Sequence, residues 1–238
     1  MRPSEVVARV GNDLELLADD APLVFSDHAR KRIDEIWGDE TRRRGRALYD
    51  APIMYFHRHE GNKLFGRFMR YKEFLAIRGE PDILPGVEIQ TIGVSGLIFC
   101  DDAVAFARRS KDVRGYPGMY ELVPSGNIDR EFIRDGRVDY RAQLAAELRE
   151  ETGVGAEHIV SMETFALILD GDDRAYDICA EIKTDLRAKE FLRIAETSGQ
   201  SEYEGIEFIR LNALDQFIHA NRERIIPTSL AMLEVWRR

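Results

Sequence analysis

The stretch that decides the reading is "AAELREETGVG", residues 145–155. It sets Glu147, Glu150 and Glu151 within five positions of a helical segment, with Gly153 and Val154 following at once. With 3.6 residues per helical turn, the three carboxylates project into one arc of about 100°. Like charges at these spacings repel by roughly a few tenths of a kcal/mol per pair. They also occupy the middle and later turns, where the helix dipole gives no relief. A helix built only for structure would interleave lysines. Two readings follow: a solvated acidic face, or a site for hard divalent cations, which prefer carboxylate oxygens and retained water.

The surroundings favour a site. Upstream, "YELVPSG" (120–126) is a short strand, Tyr120 to Val123, running into Pro124-Ser125-Gly126. A polar connector holding "REFIRDGRVDY" (130–140) leads to a helix predicted from about Asp139 to Thr152, with Asp139 as cap and Gly153 as its stop. Before it, "IQTIGVSGLIFC" and "AVAFARRS" are two strands of a hairpin turning at Asp101-Asp102. After it, "VSMETFALILD" and "AYDICAEIKTDL" are strands around "GDDR", and "GIEFIRLNA" is another. "ALDQFIHANRE" and "TSLAMLEVWRR" are helices, the last capped by Thr228 or Ser229 after Pro227.

The first 89 residues have a different texture. "FSDHARKRIDEIWGDETRRRGRALYDAPIMYFHR" (25–58) predicts a helix capped by Ser26 or Asp27, with Ile33, Ile36 and Trp37 inward, then a strand from Ile53 to His57. The basic run 41–47 is balanced by neighbouring acids and is expected to be a solvated face. His57 and His59 share one side of the strand, but without further ligands nearby they are not assigned a metal. "RYKEFLAIRG" (70–79) is a short helix closed by a Gly and Pro-containing turns. With its aromatic residues, this part reads as an α+β lobe, 1–89, ahead of a mixed α/β unit, 90–238.

Composition narrows the class. The 238 residues are 44% hydrophobic and 32% charged, with no apolar run near the roughly 20 residues of a membrane-spanning helix. The start of the chain carries acids where a signal peptide has an apolar stretch, so a cytoplasmic location is expected. A net charge of −9 disfavours a general nucleic-acid binder but leaves room for a phosphorylated small molecule held by local arginines or cations. Cys100 and Cys179 lie in strand-like runs and are expected as buried, reduced thiols.

The glutamate helix in this frame resembles the Nudix hydrolase family, whose signature is G-x5-E-x7-R-E-U-x-E-E-x-G-U with U a bulky apolar residue. Glu147, Leu148, Glu150, Glu151, Gly153 and Val154 match its second half, and Gly126 stands at the opening glycine. Ala146 replaces the signature arginine, and Arg149 lies on another side of the helix. The connector after Gly126 is about six residues too long, so the signature's first glutamate has no counterpart. The amino-terminal lobe, "LYDAP" (48–52), "TIGVSGLIFCDDAVAFARRS" (91–110) and "SEYEGIEFIRLNAL" (201–214) are similar to the UDP-glucose/UDP-galactose pyrophosphatase branch.

The resemblance implies an α+β fold, an α/β/α sandwich around a mixed sheet, and Mg²⁺-dependent hydrolysis of a UDP-sugar to UMP and a sugar 1-phosphate, with Mn²⁺ as a substitute. ADP-ribose or another dinucleotide is the alternative substrate, and a non-catalytic nucleotide-binding module the alternative class. Glu147, Glu150 and Glu151 are the implied metal ligands, with the Gly126 carbonyl a fourth. The general base is one of these glutamates (Glu151 or Glu147) or a loop carboxylate, Glu202 or Glu204. Arg108 and Arg109, ending the hairpin strand, are the candidates for phosphate oxygens. Tyr116 and Tyr120 are expected in the core rather than stacked on a base. The implied partner is a nucleotide-linked diphosphate, with no nucleic acid and no membrane. The lobe is left with two roles, shaping the pocket or supporting a homodimer.

Overall fold

The computed structural model describes residues 2–19, 21–44, 48–113, 115–198 and 202–237. In chain order the elements are β1 (Glu5–Arg9), β2 (Glu15–Ala18), α1 (Asp27–Arg44), β3 (Pro52–Glu60), β4 (Lys63–Arg70), α2 (Tyr71–Gly79), β5 (Thr91–Cys100), β6 (Ala103–Arg109), β7 (Tyr120–Leu122) and β8 (Ser125–Asn127). There follow β9 (Ile133–Arg134), β10 (Arg137–Val138), α3 (Tyr140–Thr152), β11 (Ile159–Leu169), β12 (Ala175–Thr184), α4 (Ala188–Ser198), β13 (Tyr203–Arg210), α5 (Leu214–Asn221) and α6 (Pro227–Trp236). This is the expected α+β class, with antiparallel and parallel strand pairs. No helix among the described residues is long and apolar enough to cross a membrane.

The chain forms two compact units, Met1–Leu14 with Gly93–Gly126 and Tyr140–Arg238, and Glu15–Ile92 with Asn127–Asp139. The sequence boundary at 89/90 lies close to the Ile92/Gly93 junction, but two segments differ from expectation. The first strand, β1, pairs antiparallel with β11 and so belongs to the carboxyl-terminal unit. The long connector is a β9–β10 hairpin turning at Asp135 and Gly136, both at positive φ, and β10 pairs with β2 of the same, smaller unit. Asp-Gly is the dipeptide such a tight hairpin turn favours. The residues in excess of the signature are thus a strand pair of the smaller unit.

In that smaller unit, β3 and β4 form an antiparallel hairpin and β2 runs parallel to β4. Helices α1 and α2 bury Phe25, Ala29, Ile33, Ala76 and Ile77 against Ile53, Tyr55 and Met69 of the hairpin. Ser26 is the α1 cap, its Oγ accepting from the Ala29 N–H at 3.2 Å. Ile36 packs at the edge of this core, and Trp37 meets Tyr71 edge-to-face at 6.3 Å. Of the basic run, residues 45–47 lie outside the described set.

In the larger unit, β5 lies beside β12, β11 pairs with β12, and β6 pairs with β5, β7 and β13. All ten residues of β5 are buried, as a continuous apolar run predicts for a central strand. The core gathers Leu97, Phe99, Val104, Phe106, Leu122, Ile168 and Cys179 with the inner faces of α5 and α6. Cys100 and Cys179 are buried free thiols. The last helix departs in its cap: Ile226 is the N-cap without a side-chain bond, and Pro227 takes the first turn. Thr228 and Ser229 are used elsewhere, bonding the Asp170 carboxylate at 2.7 Å and the Leu122 N–H at 2.9 Å.

Candidate active site

Helix α3 delivers the three glutamates to three different environments. Leu144 and Leu148 bury its apolar stripe, and Gly153, at φ +76°, ends it by donating its N–H to the Arg149 carbonyl at 2.9 Å. That rotation turns Glu151 inward, 7% exposed, leaves Glu147 half-buried, and places Glu150 on the exposed flank.

Glu147 and Glu151, one turn apart, close on the Ser125–Gly126 backbone. The Glu151 carboxylate accepts the Ser125 N–H at 3.2 and 3.3 Å. Glu147, which also accepts from Gln143 Nε2 at 2.8 Å, lies so close to Gly126 that a Cβ there would stand 2.0 Å from its Oε1. Only glycine fits. The position read from the sequence as the opening glycine is therefore a cradle for a carboxylate. The Gly126 carbonyl itself faces Gly93 of β5, 2.8 Å from where a Cβ would be.

Two groups that the sequence reading passed over complete the picture. Glu121 of β7, 6% exposed, accepts from Ser125 Oγ at 3.2 Å and is ion-paired with Arg109. Tyr203 of β13 has its hydroxyl buried beside Glu151 with no aligned hydrogen bond. Glu121 had a signal, an acid flanked by apolar residues in the strand "YEL"; Tyr203 had none. Burial holds the Glu151 carboxyl well above the usual carboxylate range, and the charges of Glu121 and Glu202 push it further. Glu121 is raised for the same first reason, against the pull of Arg109. Burial also lifts Asp177, bonded to Ser95 Oγ at 3.0 Å, to about 7.

The two candidate arginines are both engaged. Arg109 is largely buried, donating to the Gly115 carbonyl at 2.8 Å and contacting Glu121 and Glu202. Arg108 is more open and pairs with Glu204, Nε to Oε2 at 3.3 Å. Glu204, expected on a loop, lies within β13, where strand pairing with β6 holds it; Glu202 immediately precedes that strand, and residues 199–201 lie outside the described residues. A cavity of about 290 Å³ opens beside Glu151 and is lined by Leu192, Glu196, Tyr203, Glu204 and Ile206. Tyr120 packs edge-to-face on Phe217 at 5.2 Å at the edge of the core, as expected, whereas Tyr116 is part-buried and donates its hydroxyl to Asp170 at 3.3 Å.

The expected three-glutamate metal cluster is not assembled: among the described residues no three acidic, His or Cys side chains converge to hold an ion. Solvation keeps Glu150 outward, and the Ser125 N–H turns Glu151 inward. What remains fits a Mg²⁺-like ion in another way. Such an ion keeps several waters and takes one or two carboxylates, with substrate phosphates supplying the rest. Glu147 and Glu151, both oxygen donors beside one backbone turn, suit that demand.

Neither a family model nor a curated protein matches the chain. Among solved structures it is similar to the Nudix domain of Shewanella oneidensis NrtR complexed with ADP ribose, at 18% identity over 71% of this chain and 97% of that one, TM-score 0.47. It is similar to DR0079 from Deinococcus radiodurans at 14% identity, over 64% and 87% of the two chains, TM-score 0.45. A bifunctional NMN adenylyltransferase/ADP ribose pyrophosphatase of Francisella tularensis, complexed with AMP and a manganese ion, shares 12% identity over 68% of this chain, TM-score 0.45; the match spans 45% of its length. Likenesses this distant leave the chemistry to be argued from the chain's own residues.

Proposed function

We propose that the chain is a Nudix-type hydrolase that uses Mg²⁺, or Mn²⁺ in its place, to cleave the pyrophosphate linkage of a nucleoside diphosphate sugar. The observation that carries this reading is the state of Glu151. It is a buried carboxylate whose backbone donor among the described residues is the Ser125 N–H, with the Tyr203 hydroxyl beside it, and the nearby charges of Glu121 and Glu202 oppose its ionisation. Buried charges normally find a partner or give up the charge. A cation is the partner that makes this arrangement favourable, and the glutamate spacing of the Nudix signature supports the same conclusion.

The cavity beside Glu151 points the same way. Its acidic lining, Glu151, Glu196 and Glu204, repels a bare diphosphate, so an anionic substrate enters together with cations. Bound divalent cations would neutralise the diphosphate and lower the pKa of the attacking water. The chain's own part is to position. Glu147 and Glu151 present oxygens on adjacent turns, with the Gly126 backbone framing the space and Glu150 adding negative charge from the exposed flank. Glu204 stands on the rim of the cavity as the proton acceptor, and Arg108 beside it holds a phosphate oxygen when the substrate displaces their ion pair.

The substrate is assigned to the UDP-sugar class on the sequence resemblance; ADP-ribose shares the same diphosphate linkage and is its direct competitor. Incubation with Mg²⁺ and a panel of UDP-sugars, ADP-ribose, dinucleoside polyphosphates and nucleoside triphosphates tests both. UMP and a sugar 1-phosphate are expected. Preferential release of AMP from ADP-ribose would replace the sugar assignment, and no turnover of any member would end the enzymatic one.

A further inference from the structure

The Nudix signature steadies its acidic helix with an arginine at the position occupied here by Ala146. We infer that Arg109, from a different element, does this work: it is a positioning residue that fixes the Ser125–Gly126 turn against Glu151, not a phosphate ligand. For its bearing on catalysis the assignment rests on the hydrolase reading above.

Each nitrogen of the Arg109 guanidinium has a partner within the protein. Nε bonds the Gly115 carbonyl at 2.8 Å, Nη1 meets the Glu121 carboxylate, and Nη2 lies 3.5 Å from Glu202 Oε1. The planar guanidinium suits this fork, and a lysine would satisfy one partner at a time. Glu121, neutralised on one side, accepts Ser125 Oγ with its other oxygen. The backbone N–H of the same serine is the donor to Glu151. Arg109, Glu121, Ser125 and Glu151 thus form a continuous chain from β6 through β7 and β8 to α3, and all of it lies within one compact unit. Glu202 is fastened to the same assembly twice, by Arg109 and by its carbonyl accepting the Ser110 N–H at 2.8 Å. Glu202 is thereby held at the start of β13, the strand that carries Glu204.

Arg108, next in sequence, shows the contrast. Its side chain is 41% exposed against 13% for Arg109, and among the described residues its ion-pair partner is Glu204, itself exposed. One arginine is partly open to solvent and its neighbour is largely buried, as alternation along a strand dictates.

The test compares Arg109→Met, Arg109→Lys, Glu121→Gln and the double variant Arg109→Met/Glu121→Gln. Hydrogen–deuterium exchange at the Ser125 amide reads positioning without metal or substrate, and steady-state kinetics reads its consequence. Arg109→Met is expected to lower Ser125 protection about tenfold and to lower kcat by a similar factor with KM within twofold. Arg109→Lys, which keeps the charge and loses the fork, is expected to fold normally and show a smaller loss of the same pattern. Removing both charges leaves no buried ion unpaired, so the double variant is expected to recover protection relative to Arg109→Met. Unchanged Ser125 protection together with a raised KM in Arg109→Lys would overturn the proposal and make Arg109 a substrate ligand. If the wild type turned over no diphosphate, yet Ser125 protection followed the predicted order, the hydrolase reading would fall while the positioning role stood.

Discussion

Two carboxylates in the larger unit are buried almost equally, Asp170 at 3% exposure and Glu151 at 7%, yet their surroundings differ in kind. Asp170 sits at the β11–β12 turn and collects Thr228 Oγ1 at 2.7 Å, the Asp173 and Asp172 N–H groups at 2.6 and 2.9 Å, and the Ser4 and Tyr116 hydroxyls at 3.3 Å. It ties the amino terminus, a loop and the start of α6 to one hairpin. Glu151 has one backbone donor at 3.2 Å, an unaligned tyrosine and two carboxylates for company. Buried polar groups are ordinarily satisfied, and exceptions call for a reason. A saturated carboxylate holds structure together; an under-donated one beside a cavity is kept for something that binds.

The same chemical edit at both places separates these roles. Glu151→Gln is expected to lower kcat on the diphosphate substrate by about 10²–10³-fold, the scale of losing one electrostatic stabiliser, with the melting temperature equal to or above wild type in the absence of divalent cations. Asp170→Asn is expected to do the opposite. It forfeits charge-assisted bonds and turns an amide N–H₂ toward existing donors, costing about 2–3 kcal/mol in urea unfolding with activity per folded molecule retained. Both losing stability alike would break the distinction.

Proton linkage gives a second measure. Glu151, Glu121 and Asp177 all hold their protons above the ordinary carboxylate range because burial disfavours the charge, Asp177 to about 7. In that interval the folded protein binds more protons than the unfolded chain, so the stability they contribute is present at low pH and lost as pH rises. In EDTA the contribution of Asp177 should fall between about pH 4 and 7 and vanish from the profile of Asp177→Asn. Mg²⁺ should raise the melting temperature more at pH 8 than at pH 5, because only the ionised glutamates bind it. A Mg²⁺ effect independent of pH, or undiminished in Glu151→Gln, would count against a cation at this carboxylate. Exposed Glu150 marks the lower end of the scale: Glu150→Gln should stay within about 0.5 kcal/mol of wild-type stability while raising the Mg²⁺ concentration needed for half-maximal rate.

Helix α3, the β5–β6 and β11–β12 hairpins and the final helices were legible because each announces itself locally, by apolar spacing, a paired-acid turn or a glycine stop. Strands β1 and β2 were not. Among acids, "EVVAR" and "ELLA" are weak strand signals, and they exist as strands because β11 and β4 offer edges to pair with. Helix α4 passed unnoticed between two strong strands, although Phe191, Leu192, Ile194 and Ala195 recur at helical spacing. At the site, the spacing of glutamates identified which side chains matter but not their order of burial. Whether Glu150 or Glu151 turns inward depends on where the helix meets β8, a tertiary fact. Glu121 and Arg109 meet through strand pairing between β6 and β7, where Ala107 stands opposite Glu121, and no local pattern reports such a match.

The gentlest probe is Tyr203, whose hydroxyl lies buried beside Glu151 without an aligned partner. A hydroxyl in that condition is a cost to folding, since its desolvation is not repaid by a good bond. Removing it as Tyr203→Phe keeps the ring and its packing, so stability is expected to hold or rise by up to about 1 kcal/mol. In an assembly whose purpose is structural, that would be the whole effect. Here the hydroxyl also lies beside a carboxylate that repulsion and burial already keep from ionising, and its polarity favours the charged form. Without it the Glu151 proton is held more tightly, and the acidic limb of the pH–rate profile should move upward by a few tenths of a unit while the plateau rate stays within about twofold. A shift of that sign in the rate profile, with the fold no less stable, would place Tyr203 among the groups that tune the site; an unmoved limb would leave it as packing alone.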